Sequence, residues 1–254
     1  MTTTSTITFY DIYANAEPVA TMSPSTLRVR YALNLKGIPF TTVWVEFPDI
    51  EQVCKKLGVA PTGKSRDGKP RYTLPALQDA STGIALSDGA EIIEYLDKAY
   101  PSTPTLLPRE TIALQLATYS ALVPRFLAVY PLYAARAVRL FSPETQRWWR
   151  ETRAAMFGKP LEEAEPKGEE KARVMNKFIA DFGEVYQWMS RGDGSFLTDD
   201  QTASFVELTL AAMLNSLKIV FGEDSEEWLK IASWNNASWL QFLSKYEQYH
   251  RVAA

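Results

Sequence analysis

The chain has 254 residues and a net charge of −3, and this charge gives no electrostatic reason to expect a nucleic acid or an anionic membrane surface as partner. A single cysteine, Cys54, excludes an intrachain disulfide, and with one histidine, His250, there is almost no material for a Cys/His metal site or a Ser-His-Asp triad. The N-terminus has neither a basic patch nor an apolar signal segment, and no apolar run is long enough to span a membrane, so we expect a cytoplasmic protein without metal.

The first hundred residues combine strand and helix signals. Residues 7–12 alternate apolar with polar and β-branched side chains, as a strand on a core does, and residues 41–46 are rich in β-branched and aromatic residues. A helix between them begins near Pro24 and is stopped by Gly37 and Pro39. Strand, helix and strand together predict a βαβ unit.

The start of this helix has the properties of an anion site. Ser23 or Ser25 can cap it, and apolar residues cover most of its circumference, which predicts a helix enclosed within the fold. The free backbone N–H groups of the first turn and the positive end of the helix dipole favour an anion such as a thiolate. Ser23 lies at that site.

The chain then returns to the sheet. A short helix is predicted from Pro48 to Leu57, a polar loop over residues 61–70 and a strand-like run over residues 72–77. Pro75 has no N–H to donate within this run, so it marks an edge, a bulge or a cis bond. Another short strand follows over residues 83–86.

The last element of this half is a helix that begins at Asp88. Glu91 lies three positions further on, as in a capping box, and Tyr100-Pro101 ends the helix. Its predicted inner face consists of Ile92, Tyr95, Leu96 and Ala99.

After residue 100 the composition changes. Three prolines in residues 101–108 predict a stiff linker, and from Arg109 onward the strand signature disappears. An apolar segment over 112–141 is predicted to break near Pro124 and Pro131, and a helix follows over 143–157. A charged and solvated connection is predicted over 161–171, and then a helical stripe over 174–189 that is closed by residues 191–194. The last predicted features are a capping box of Ser204 and Glu207 and two helices around Trp228 and Trp239. The fold class is therefore α/β plus all-α, with an α/β domain over 1–100, a linker over 101–108 and an α-helical domain over 109–254.

This layout is similar to that of cytosolic glutathione transferases, and three local sequences strengthen the resemblance. Residues 23–38 resemble the start of the catalytic helix in omega-like transferases, with Ser23 where those enzymes place cysteine. Residues 73–77 resemble the family's cis-proline strand, and residues 87–97 resemble the acid-serine signature that opens its glutathione-recognition helix. Residues 44–50 and 67–75 look like the fungal-specific class A transferases, which are related to bacterial β-etherases.

The resemblance implies a thioredoxin-like N-terminal domain that binds glutathione and an α-helical C-terminal bundle that contributes a hydrophobic substrate pocket. It implies that the Ser23 hydroxyl donates a hydrogen bond to the glutathione sulfur, which favours the thiolate. A plain helix cap is the alternative role for Ser23, and Ser25 is the rival hydroxyl. Because a hydroxyl cannot form mixed disulfides, serine favours addition or substitution on an electrophile over thiol transfer.

Further glutathione contacts follow from the same resemblance. A cis bond at Leu74-Pro75 would present the Leu74 backbone to the cysteinyl backbone of glutathione, whereas a trans edge proline is the alternative. Asp88 fits as the partner of the γ-glutamyl ammonium, and it is also a simple N-cap. Gly89 replaces the family's serine; its N–H can bind the carboxylate, but the lost hydroxyl contact costs about 1 kcal/mol.

The substrate pocket is less specified. Phe126, Tyr130 and Tyr133 share a helical face and are predicted to wall an aromatic pocket, with core packing as the alternative. His250 is predicted at the surface, and Cys54 is expected to be a buried or inert thiol.

The resulting hypothesis is a serine-type glutathione transferase that adds glutathione, its co-substrate, to hydrophobic aromatic electrophiles and whose etherase resemblance extends this to β-aryl ether cleavage. The alternative is a ligandin-type protein that binds polyphenols or other aromatics with little or no turnover. A regulatory protein that keeps only the fold is the third class. The resemblance also implies a homodimer.

Overall fold

The computed structural model describes residues 6–16, 20–65, 67–191 and 203–251. Its strands are β1 (Ile7–Ile12), β2 (Phe40–Val45), β3 (Gly63–Lys64), β4 (Pro70–Arg71), β5 (Ala76–Asp79) and β6 (Ile84–Ser87). Four of them form a sheet of order β2-β1-β5-β6, in which β1 is parallel to β2 and β5 is antiparallel to both of its neighbours. The parallel pair confirms the βαβ unit.

Two strand predictions need correction. The run over residues 72–77 becomes a strand only after Pro75, because a proline cannot donate to the ladder. The predicted polar loop over residues 61–70 contains the β3–β4 hairpin, and residue 66 lies outside the description.

Three helices accompany this sheet: α1 (Pro24–Leu35), α2 (Ile50–Leu57) and α3 (Gly89–Ala99). The α1 helix is buried on nearly every side, as predicted, because it lies between the sheet and the helical part of the chain. Inside this layer Arg30 and Asp11 form an ion pair of 2.8 Å whose side chains are both fully buried. The inner face of α3 is formed by Ile92, Ile93 and Leu96, and the predicted Ala99 is exposed.

The rest of the chain is helical: α4 (Ile112–Leu127), α5 (Tyr130–Ala137), α6 (Pro143–Phe157), α7 (Leu161–Ala164), α8 (Gly168–Ser190), α9 (Phe205–Phe221) and α10 (Glu226–Ser244). The predicted break lies between α4 and α5, which meet at 69°. A kink at Trp234–Ala237 divides α10, consistent with the two helices predicted there. The Ser204–Glu207 capping box is confirmed.

The charged stretch over residues 161–171 is not the solvated connection predicted from its composition. It contains α7 and the start of α8, and α7 packs on α5 and α6 through the buried Leu161 and Ala164. The closure predicted at 191–194 lies, from residue 192, outside the described residues. In the described ranges no single helix is long and apolar enough to cross a membrane; only the bent α4–α5 pair, taken together, has the length and composition of a span.

The two parts of the chain share a core. Leu106 and Leu107 of the linker are buried, and their backbone N–H groups donate to the Asp97 carboxylate of α3 at 2.7–3.1 Å. The α9 helix packs along α1, and the N–H of Phe205 donates to the carbonyl of Leu106 at 2.9 Å. The N-terminus of α1 is therefore enclosed between sheet and helical bundle, where a cleft can form.

Candidate functional site

Ser23 occupies the N-cap position of α1, with Pro24 as the first helical residue. Its backbone has φ −74° and ψ 121°, but its side chain makes no capping hydrogen bond. Thr26 Oγ1 instead donates to the Ser23 carbonyl at 3.2 Å. The Ser23 hydroxyl is therefore not used by the helix itself, although it stands where N–H groups and the dipole favour an anion.

The loop in front of Ser23 is held by hydroxyls from both parts of the chain. Ser216 Oγ on α9 donates to the Met22 carbonyl at 2.5 Å, and Tyr133 OH on α5 lies 3.2 Å from the same oxygen. On the other side, Thr21 Oγ1 donates to the buried carboxylate of Asp11 at 2.9 Å. These contacts fix the backbone just before the cap.

Ser23 and Ser25 open onto a cavity of about 270 Å³. Phe126, Tyr130 and Tyr133 all line it, so the structure places the predicted aromatic face beside the predicted hydroxyls. The other lining residues are mainly apolar or aromatic: Ile12, Met22, Pro24, Phe47, Tyr119, Val123, Leu127, Trp149 and Met213, with Arg28, Arg153 and Thr209 as the polar members. Among the described residues, those that line the cavity include two arginines and no carboxylate.

The aromatic residues are also packed on one another, so pocket and core are not exclusive roles. Phe126 and Tyr133 are buried with ring centroids 5.6 Å apart, and Tyr130 stacks on Tyr133 at 6.0 Å. Burial raises the pKa of Tyr133 well above its usual range, and the hydrogen bond with Ser216 Oγ at 2.7 Å only partly opposes this rise. This hydroxyl therefore positions the loop before Ser23.

The sheet register brings the remaining predicted contacts to one end of the sheet. Ala76, the first residue of β5, pairs with β1 near its C-terminal end and with Ser87, the last residue of β6. Residues 74–75 precede Ala76, and residues 88–89 follow Ser87. Both pairs therefore lie at the end of the sheet where β1 finishes and the chain continues toward Ser23.

The local geometry of these pairs agrees with the sequence patterns. The Leu74-Pro75 peptide bond is cis. Asp88 is exposed at the N-cap of α3, with a φ of 81°, and its carboxylate accepts from the N–H groups of Ala90 at 2.8 Å and Glu91 at 3.4 Å. Leu74, Pro75, Asp88 and Gly89 do not line the aromatic cavity.

Arg28 connects the aromatic cavity to Gly89. It lines the cavity from α1, and its guanidinium occupies the space in which a side chain at Gly89 would stand: a Cβ there would collide with Nη2 and lie 3.1 Å from Cζ. Residue 89 is therefore glycine where the resemblance leads one to expect serine, and the side chain of Arg28 fills the space that a serine side chain would occupy.

The single histidine was predicted at the surface, but the structure does not place it there. His250 is half-buried, because the end of the chain returns over α1, and its ring meets the edge of Tyr31 at 6.1 Å. Burial, with the nearby charges of Arg30 and Lys218, lowers the pKa of His250 to about 4. Cys54 is fully buried, as expected, and burial raises the pKa of its thiol.

Comparison with protein families agrees with this architecture. Residues 22–99 match the model of the glutathione S-transferase N-terminal domain, and residues 113–249 match that of the glutathione S-transferase C-terminal domain. The chain belongs to the glutathione S-transferase family. Its thioredoxin-like N-terminal domain and all-helical C-terminal domain are those of the transferase fold.

Fungal transferases are among its similar relatives. The glutathione S-transferase-like protein ustS of Aspergillus flavus is 31% identical over 244 residues, covering 90% of this chain and 85% of ustS. A crystal structure of a glutathione S-transferase of Ceriporiopsis subvermispora in complex with glutathione is 38% identical, with a TM-score of 0.90 and coverage of 98% and 99% of the two chains. Glutathione transferase GSTFuA3 from Phanerochaete chrysosporium is 34% identical, with a TM-score of 0.89 and 98% coverage of both chains.

The cavity is lined by the hydroxyl and aromatic residues that the sequence patterns singled out, and also by polar residues that those patterns did not indicate. Arg28, Arg153 and Thr209 line the cavity, and Ser216 holds the loop before Ser23. The available signal was Arg28 itself, a charged residue in a helix whose apolar residues already cover most of its circumference.

Proposed function

We propose that this protein activates glutathione at Ser23 and transfers it to a hydrophobic aromatic electrophile bound in the cavity. The supporting observation is the state of Ser23, whose hydroxyl makes no capping bond, stands at the N-terminus of α1 and opens onto an aromatic cavity. A hydroxyl donor and a helix N-terminus both favour thiolate over thiol. Together they lower the pKa of the glutathione thiol and raise the concentration of the nucleophile at neutral pH.

Glutathione would lie along the end of the sheet at which residues 74–75 and 88–89 are found. The Leu74 backbone before Pro75 pairs with the cysteinyl unit like an added strand. Asp88 takes the γ-glutamyl ammonium, and the N–H of Gly89 at the start of α3 takes the γ-glutamyl carboxylate. Ser25, one residue into α1, is the rival hydroxyl for the sulfur.

The reaction is a substitution or addition by the thiolate. The sulfur forms a bond to the electrophilic carbon, and in a substitution the leaving group departs with the electron pair of its broken bond. In β-aryl ether cleavage, which we propose from the likeness to fungal class A transferases, the broken bond is the C–O bond and the aryl oxide leaves. Holding thiolate and electrophile together in the cleft supplies much of the acceleration.

The Ser23→Ala variant tests the activation step, with Ser25→Ala as the matched control. A hydrogen bond to a charged group contributes about 1.5–3 kcal/mol, so Ser23→Ala should reduce turnover of a model aromatic electrophile roughly tenfold to a hundredfold. It should also raise the pKa of bound glutathione, measured by thiolate absorbance, while the melting temperature stays the same. Loss in Ser25→Ala alone would transfer the role to Ser25, and unchanged turnover in both variants would reject a serine mechanism.

A second candidate is a ligandin-type binding protein for polyphenols or other aromatics. Gly89, which lacks the serine hydroxyl, and the aromatic cavity favour it. Calorimetry separates the two: micromolar glutathione affinity with conjugation supports the enzyme, whereas millimolar or absent glutathione binding with tight aromatic binding supports sequestration. Binding of neither would point to the regulatory class.

We also propose a cytoplasmic homodimer. The exposed Leu114 and Leu116 of α4 are 55% and 37% exposed, an arrangement that a second subunit can cover. Sedimentation should give twice the chain mass of 28.6 kDa, and a monomer at micromolar concentration would contradict this.

A further inference from the structure

Among the described residues, three cationic side chains are buried, and all three belong to α1 or its C-terminal cap. Arg30 is paired with Asp11 at 2.8 Å, and Lys36 is paired with Asp97 at 2.6 Å. Arg28 is 4% exposed and forms no ion pair with any carboxylate of the described chain. A buried cation is normally paired, so Arg28 is the exception that needs a partner.

The contacts of Arg28 satisfy only part of its guanidinium. Nη1 donates to Thr209 Oγ1 at 3.2 Å, and Thr209 in turn donates to the carbonyl of Phe205. Nε is buried without an acceptor in the described part of the chain. Cζ lies 4.8 Å from the ring centre of Tyr119 and 4.7 Å from that of Phe205. The rings and one hydroxyl hold the side chain in place but do not neutralise its charge.

The guanidinium of Arg28 lies next to two parts of the candidate site, the aromatic cavity and the N-terminus of α3. Arg28 lines the aromatic cavity together with Ser23 and Ser25, and its Nη2 lies against Gly89 at the start of α3. A side chain at Gly89 would require the guanidinium to move. Because residue 89 has no side chain, the guanidinium of Arg28 can occupy this space. The result is a cation beside the backbone N–H groups at the N-terminus of α3.

The rest of the cavity lining agrees with an anionic ligand. Arg153 also lines it, with Cζ 3.7 Å from the ring centre of Trp149, and the described lining residues include no Asp or Glu. Aromatic walls with two guanidinium groups favour a ligand that combines apolar surface with negative charge.

We propose that Arg28 is a ligand-binding residue that holds a carboxylate where its guanidinium lines the cavity beside Gly89. The carboxylate comes either from the γ-glutamyl group of glutathione, a source that rests on the function proposed above, or from an acid group on the aromatic ligand, which does not depend on it. In either case the anion supplies the charge partner that Arg28 lacks among the described residues, as Asp11 does for Arg30.

Binding measurements with matched ligand pairs separate the two sources. The first pair is glutathione and its analogue without the γ-glutamyl carboxylate, measured by calorimetry. The second pair is an aromatic carboxylic acid and its primary amide, measured by quenching of tryptophan fluorescence. The wild-type protein should bind the carboxylate member at least tenfold more tightly in one pair, and that pair identifies the source.

Arg28→Gln should abolish this preference, whereas Arg28→Lys should keep part of it. Arg125→Gln is the matched control, because Arg125 also lies over an aromatic ring, that of Trp188 at 4.8 Å, but does not line the cavity. The Arg125→Gln variant should prefer the carboxylate member of the pair as strongly as the wild type does. If Arg28→Gln does not fold, Gly89→Ala provides the same test, because its Cβ displaces the guanidinium.

An equal preference in the wild type and in folded Arg28→Gln, or no preference in either pair, would overturn the proposal. If the wild type does not bind glutathione at all, the proposed transferase function fails and the aromatic pair alone decides the role of Arg28. A purely structural arginine would change the melting temperature and leave both preferences intact.

Discussion

Removal of the Asp11 carboxylate is the perturbation whose effect on stability can be worked out most fully. Asp11 accepts from Arg30 Nε at 3.1 Å and Nη2 at 2.8 Å, from Thr21 Oγ1 at 2.9 Å and from the N–H of Ile12 at 2.7 Å. Both charged side chains are fully buried. The Asp11→Ala variant therefore leaves a buried guanidinium without its counter-charge.

Breaking a buried ion pair from one side costs about 3–5 kcal/mol. Arg30 would keep Thr42 Oγ1 at 3.1 Å and the carbonyl of Arg251 at 3.4 Å, which places the expected loss near the lower end, about 3 kcal/mol. The free energy of unfolding, measured by urea denaturation followed by circular dichroism, should fall by that amount. Glu94→Gln, which breaks the exposed Lys98–Glu94 pair, should change it by less than about 0.5 kcal/mol.

A double variant tests whether the unpaired charge is the cause. Asp11→Ala with Arg30→Met removes both charges, so it should be more stable than Asp11→Ala alone. A loss below about 1 kcal/mol in Asp11→Ala, or a double variant that is less stable than the single one, would refute the reasoning.

Three further predictions follow from individual contacts. Ser204→Ala should lower the free energy of unfolding by about 1 kcal/mol in urea denaturation, because the Glu207 N–H at 3.2 Å loses its cap; an unchanged value would mean that the cap is replaced. Tyr133→Phe should also cost about 1 kcal/mol, since its hydroxyl leaves Ser216 and Met22, and it should reduce electrophile turnover without changing glutathione affinity; equal turnover would remove Tyr133 as a positioning residue. The pKa of His250 is about 4 in the folded protein and about 6.5 when unfolded, so the unfolded state binds the proton first and stability falls as pH drops from about 6.5 toward 4. His250→Gln should flatten the pH dependence of the melting temperature in this window, and a slope equal to that of the wild type would contradict it.

Local signals in the sequence determined most of the element positions. The helix predicted over residues 143–157 is found with the same ends, because Ser142 caps it, Pro143 begins it and Gly158 adopts the left-handed conformation that ends it. The Ser204–Glu207 box begins α9 for the same kind of reason. Such signals act between residues a few positions apart, so they can be read without the fold.

Charge and apolar patterns alone were less informative about burial. The acidic stretch from Leu161 to Lys171 appeared solvated, yet Leu161 is buried against α5 and α6. His250 appeared exposed by its position near the end of the chain, yet Asn34 Nδ2 donates to the carbonyls of Tyr249 at 2.7 Å and Arg251 at 3.0 Å and holds that end against α1. Composition does not say which face of a short helix, or which end of a chain, finds a neighbour.

The sequence by itself therefore determined the order of the four strands of the main sheet and of the longer helices, the caps of α6 and α9, and the placement of Ser23 at the start of α1. Only the tertiary structure decided what surrounds that serine. Arg28 and Thr209 are 181 residues apart in the chain and meet at 3.2 Å, and Arg28 meets Gly89 because α1 packs against both α3 and α9. Such contacts depend on how distant helices pack together, and no local pattern of residues encodes them.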